Sequence, residues 1–338
     1  MSADVIVIGG GIVGCALAAF LAEGGAQVVL YEREAIAAGA SGRNSGVVQD
    51  TLDPELDALY EESLEHYRTL GHGFELPAEP AGLLLVSDQP LEPVPGATYL
   101  EGPALREVEP SLANGLVAYR LETGRPVPPA AAAHAFAARA REAGARIEIG
   151  AAQLRDGGVI VDGELRPAGA VAIAAGPWSA ELVPLPVSAL WGVVVEFELP
   201  DAPRHVLEEA GIKALTGAGG IPDVLFSAVT ARGISAIGST FMAERPDPEA
   251  LAPRIVANAT RFLPALAEAT PRGLRACARP ISADGRPYLG LVAENVAVAT
   301  GHGAWGITLG PASARLVADQ LLGRPAEIPP ALSANRLS

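Results

Sequence analysis

The chain has 338 residues, 49% of them apolar, with two cysteines, five histidines and a formal net charge of -15. That length allows one large core or two domains, and the charge repels nucleic acid and anionic membrane surfaces, so both are excluded as principal partners. Cys15 and Cys277 stand too far apart in sequence to suggest a disulfide framework or a zinc site. No apolar run approaches the ~18 residues of a membrane span, and a strand opening at residue 4 leaves no room for a charged leader, so a soluble cytoplasmic protein is expected.

Residues 4–14 carry the clearest signal. The run Val5, Ile6, Val7, Ile8 is apolar and β-branched, as in a strand buried on both faces. Gly9, Gly11 and Gly14 follow at the spacing G-x-G-x-x-G, and apolar residues through Leu21 continue as a helix. The first glycine permits the turn, the second lets a pyrophosphate approach, and the third lets helix and strand pack closely. Phosphates then lie at the helix N-terminus beside Ile12 and Val13. A second strand over 27–31 ends in Glu32, where a carboxylate accepts ribose hydroxyls, and Arg33 comes next. A glycine turn alone also serves purely structural joints; strand, helix, second strand and acid in this order favour a dinucleotide.

The next stretch, 38–48, sets Ser41, Arg43, Asn44 and Ser45 among Gly42 and Gly46. It reads either as a surface loop or as a wrap around the far side of a cofactor, its N–H groups suiting phosphate or a ring edge. A helix is expected over 53–71, with Asp53 as N-cap and Pro54 at its first position. Its glutamates read as a solvated face. Strands are expected over 82–86, 146–149, 159–161 and 170–174, and an alanine-rich helix begins at Pro128-Pro129 and ends near residue 142. The segments 193–199, 224–229 and 234–239 suggest an antiparallel sheet in a second domain. A last helix, 307–322, follows Thr300-Gly301-His302-Gly303-Ala304-Trp305-Gly306, with Pro311 in its first turns and Gly323 closing it. The fold class is α/β: a Rossmann-like domain with a second, α+β domain.

Four motifs then give the chain a resemblance to the FAD-dependent D-amino-acid oxidase superfamily, in its glycine oxidase and sarcosine oxidase branch. They are the glycine turn with Glu32-Arg33, the segment 40–46, the segment Ala174-Ala175-Gly176-Pro177-Trp178-Ser179, and Arg279-Pro280 through Gly290 running into Gly301, His302 and Gly303. The resemblance implies a GR2-type FAD-binding domain from residues 1–75, 135–185 and 275–330, and a substrate domain from 76–134 and 186–274. It also implies extended FAD, with Ala175, Gly176, Trp178 and the stretch from Gly301 to Ile307 and Thr308 around it. The final helix would aim its N-terminus at the flavin edge where negative charge collects on reduction.

Flavin-dependent oxidation of an amine requires orientation and an unprotonated nitrogen. A guanidinium grips a carboxylate through two parallel hydrogen bonds, and Arg279 matches the superfamily position with that role. In the sarcosine oxidase branch a cysteine similar to Cys277 carries the flavin covalently. A buried inert thiol with non-covalent FAD is favoured for Cys277. His302 either hydrogen-bonds cofactor or substrate or braces its loop. Trp178 and Trp305 are candidate cavity walls, and Trp191, Phe226 and Met242 are candidates for the substrate pocket. The expected substrate is a glycine, an N-substituted glycine or a D-amino acid, with O2 as acceptor and peroxide as product. Two other readings stay open: a flavin dehydrogenase passing electrons to a partner or quinone, and a non-catalytic nucleotide-binding protein that retains the fold.

Overall fold

The computed structural model describes residues 3–211 and 224–336. Its first sheet runs, in spatial order, Tyr288–Ala293, Val296–Thr300, Glu164–Ile173, Ala3–Ile8, Val28–Glu32 and Arg146–Ile149. Only the edge strand Tyr288–Ala293 is antiparallel to its neighbour along this path. In register, Ile8 sits beside both Tyr31 and Ile173. The strands therefore end along one edge, and the turns after residues 8, 32, 173 and 300 meet there. This carboxyl edge is where open α/β sheets form their binding crevice, so topology alone gathers the four sequence motifs.

Helix Ile12–Glu23 is buried along its whole length except Glu23, because helices Ala131–Glu142 and Gly306–Leu321 pack on it and the sheet lies beneath. Small residues such as Ala16, Ala18 and Ala19, all fully buried, permit that close approach. Pro311, lacking an N–H, leaves the Ile307 carbonyl of the last helix without its usual donor. The Tyr67 hydroxyl from helix Asp57–Arg68 donates to that carbonyl instead. One residue on, the Ala312 N–H donates to Ser63 Oγ at 3.1 Å. A helix interrupted at its proline is thus repaired by its neighbour.

The second sheet has the order Gly273–Ser282, Val187–Phe197, Ile234–Thr240, Val224–Ala231, Val206–Glu209, Leu83–Ser87, Val117–Leu121 and Thr98–Glu101. All its pairings are antiparallel except that of Val206–Glu209 with Leu83–Ser87. Helix Pro248–Thr260, capped by the Asp247 side chain, covers one face together with Phe262 and Leu266. Residues Glu208, Ser227 and Arg279 of this sheet line a cavity that residues after the strands of the first sheet also border.

Some expected elements differ. Asp53 accepts the Glu55 N–H at 3.1 Å, yet a 3-10 turn, Pro54–Leu56, precedes the α-helix proper. Asp53 also holds Arg286 through two hydrogen bonds of 2.9 and 3.1 Å, so this cap is shared with a distant loop. Strand Gly273–Ser282, part of which falls in the segment 275–330 that the resemblance assigns to the cofactor domain, pairs with the second sheet along ten residue pairs.

Candidate functional site

At the first turn, Gly9 adopts φ 111°, and a side chain at Gly14 would overlap the Gly9 carbonyl oxygen. Glycine is required at both for steric reasons. Glu32 accepts the Gly10 N–H at 2.6 Å through one oxygen and the Glu34 N–H at 2.9 Å through the other. This fixes the carboxylate at the mouth of the crevice. Ser41 Oγ accepts the Ile12 N–H at 2.9 Å, tying the segment 40–46 to the start of the helix. That segment is not an open loop: Ala40–Arg43 forms one helical turn, and Asn44 closes it by donating to the Ala40 and Ser41 carbonyls while accepting the Gly46 N–H at 2.7 Å. The Arg33 guanidinium lies 3.9 Å from the centre of the Trp178 ring, a cation–π stack that walls this end.

One cavity of about 880 Å³ is lined by Glu32, Gly11, Ser41, Ser45 and Gly176 and also by His302, Trp305 and Arg279. The final helix starts at Gly306 beside it, so its first N–H groups face the space. His302 is buried, its Nε2 has no partner, and burial drives its pKa down to about 4. A neutral imidazole with an unsatisfied nitrogen thus borders the cavity. An elongated dinucleotide fits these features: a glycine cradle, an acid at one end and an unpartnered buried ring nitrogen at the other.

Arg279 projects from the edge of the second sheet. It donates to the Thr240 carbonyl at 3.0 Å and to Ser239 Oγ at 2.6 Å, and lies 4.8 Å from the centre of the Phe241 ring. Gly192, directly across from Cys277, makes room for the guanidinium; any side chain there would collide with it. Burial lowers the Arg279 pKa, the nearby Cys277 opposing the shift. Arginine remains a cation under these conditions. No carboxylate among the described residues pairs with it, so its charge is directed at the cavity. Cys277 also borders the cavity; burial raises its pKa while Arg279, Arg275 and Arg43 pull the other way. The second cysteine, Cys15, is pushed up to about 12 by burial and faces the first core.

Most candidates from the sequence line the cavity: Gly9, Gly11, Ile12, Val13, Glu32, Arg33, Arg43, Asn44, Gly46, Ala175, Trp191, Gly303, Ala304, Gly306 and Ile307 do so with those already described. Gly14, Gly42, Gly301 and Thr308 are not on its wall. Phe226 does not reach it. Strand alternation turns Phe226 into the opposite core, where it stacks on Phe262 at 4.6 Å with nearly parallel rings. Met242 is likewise not on the wall; its backbone exchanges hydrogen bonds of 2.7 and 3.1 Å with Trp191. Conversely, Gln49, Glu208, Ser227, Phe241 and Arg245 border the cavity and escape the sequence motifs. Gln49 stands just beyond a recognised segment, whereas Glu208 belongs to a strand too short to show periodicity. Among the described residues there is no cluster fit to hold a metal ion and no helix long and apolar enough to cross a membrane.

Comparison with known proteins agrees with this geometry. Residues 4–320 match the family described as FAD dependent oxidoreductase. The glycine oxidase of Pseudomonas aeruginosa is 30% identical over 98% of each chain. Among solved structures, glycine oxidase from Geobacillus kaustophilus superposes with a TM-score of 0.84 at 24% identity, covering 100% of this chain and 99% of that one. Iminodiacetate oxidase from Chelativorans sp. BNC1 has a TM-score of 0.79 at 25% identity, covering 97% and 98%.

Proposed function

We propose, from the premise that the chain belongs to the FAD-dependent oxidoreductase family, that it oxidises the C–N bond of an amino acid. The substrate class is glycine, an N-substituted glycine or a D-amino acid. The similarity to a glycine oxidase and to an iminodiacetate oxidase, both named for amines bearing a carboxymethyl group, supports that class. Bound FAD supplies the hydride acceptor, with O2 returning it to the oxidised form as peroxide, and water hydrolyses the released imine.

The protein's own part is positioning. The observation that carries the reading is Arg279: a cation on the cavity wall, braced by Ser239 and Thr240, with no internal carboxylate among the described residues. It binds the substrate carboxylate and fixes which carbon faces the cofactor. Neutral His302 offers Nε2 to the cofactor or substrate without adding charge. The first sheet and its helices form the cofactor unit in this reading, and the second sheet forms the substrate unit, with strand Gly273–Ser282 as the wall between them. In this reading FAD is held without a covalent bond, and Cys277 is a buried thiol whose pKa burial raises.

Anaerobic titration of the flavin-loaded protein with glycine, N-alkyl glycines and D- and L-amino acids tests this. Bleaching of the flavin by at least one carboxylated amine, with rapid recovery in air, is the expected result. Failure of all of them to bleach it would remove the reading, and slow recovery in air would transfer the electrons to another acceptor. Yellow colour that stays with the denatured polypeptide would contradict non-covalent binding.

A further inference from the structure

One group on the cavity wall has no task in that reading. Glu208 is 9% exposed and Gln49 is 1% exposed. Gln49 Nε2 donates to Glu208 Oε1 at 2.7 Å, whereas Glu208 Oε2 and Gln49 Oε1 are both buried without any partner. Both residues border the cavity. Two adjacent acceptors, one of them charged, are thus left unsatisfied at the site where a ligand is held. Buried polar groups are costly unless a donor meets them. The missing donor is one that arrives with the ligand.

Position indicates which donor. In the second sheet Glu208 pairs with Ser227, and Ser227 with Gly238, so this row shares one face. The Arg279 guanidinium is anchored on Ser239 and Thr240, in the strand that carries Gly238. The guanidinium also lies against Gly192, one strand further on, so cation and anion stand two to three strands apart across the sheet and about two residues apart along it, on the order of 12 Å or more between their backbones. That exceeds the reach of an α-nitrogen and calls for a nitrogen carried on the side chain. Chemistry argues the same way. A carboxylate beside the reacting nitrogen would favour its protonated form, which cannot be oxidised, whereas one beside a distal nitrogen leaves the reacting amine free.

We propose that Glu208 and Gln49 form a subsite for a second, non-reacting cationic nitrogen, so that the preferred substrates are amino acids bearing a side-chain amine. The subsite rests on Arg279 as the carboxylate anchor. Racemic 2,4-diaminobutyrate and racemic 2-aminopentanoate, similar in length but differing in the terminal cation, test it in anaerobic flavin bleaching. The wild-type protein is expected to half-saturate with the diamino acid at a concentration at least about tenfold lower. Glu208→Gln is expected to abolish that preference, and Glu208→Asp to retain part of it. An unchanged ratio in Glu208→Gln, or equal weakening toward both compounds, overturns the proposal; the latter would place the α-nitrogen at Glu208. If neither variant retains flavin, the wild-type ratio decides, and a preference for 2-aminopentanoate overturns it. Bleaching by other amino acids but by neither of these two overturns the subsite alone, whereas no bleaching by any amino acid overturns the functional reading with it.

Discussion

His302 shows how burial decides the behaviour of one side chain at the site. Its ring stays neutral because desolvation depresses its pKa to about 4 from the ordinary 6.5. Between those values the unfolded chain binds a proton that the folded protein does not. Stability therefore falls as pH drops from about 6.5 toward 4, by about 3 kcal/mol at most. Asp53 and Asp284, whose pKa values are lowered from 3.8 by their bonds to Arg286 and Arg336, add their losses only at still lower pH. Urea denaturation from pH 7 to 4 is expected to show this decline in the wild-type protein and a shallower one in His302→Gln. Parallel curves would contradict a buried neutral histidine.

At the scale of elements, the contact between helix Asp57–Arg68 and the last helix carries more than apolar packing. Because Pro311 cannot donate to the Ile307 carbonyl, Tyr67→Phe removes that oxygen's side-chain donor. A loss of about 1–2 kcal/mol is expected in denaturant unfolding, and Pro311→Ala in the same background, by restoring an N–H, is expected to recover part of it. Additive effects would contradict the coupling. The same scale shows what can be read from sequence. The glycine turn, Glu32 and the loop before Gly306 are legible because each meets a local backbone requirement with a strand before it or a helix after it. Phe226 is misplaced from sequence because alternation gives two faces without saying which one is inside. Glu208 escapes notice because Val206–Glu209 is a four-residue strand ending in two acids, and its neighbours in space come from distant segments. Helix Pro248–Thr260 has a local start signal, the cap and first-turn proline at Asp247-Pro248, but it follows the last expected strand in a stretch to which no element was assigned.

On the scale of the whole molecule, two sheets meet at one cavity. The first contributes a parallel carboxyl edge that gathers four separated loops; the second contributes wall residues that include Arg279 and Glu208. Since both sheets border the cofactor space, flavin binding is expected to stabilise them together. FAD at about one hundred times its dissociation constant would add about 2.7 kcal/mol, seen as a single unfolding transition moved upward in temperature; a shift confined to one of two transitions would contradict the shared cavity. Arg279 as the anchor of the substrate carboxylate is tested by comparing wild-type protein with Arg279→Ala in anaerobic flavin reduction by an amino acid that bleaches the wild type. A fall of about a hundredfold or more in reduction rate at low substrate, with flavin binding intact, is expected. Equal reduction by both proteins would contradict it.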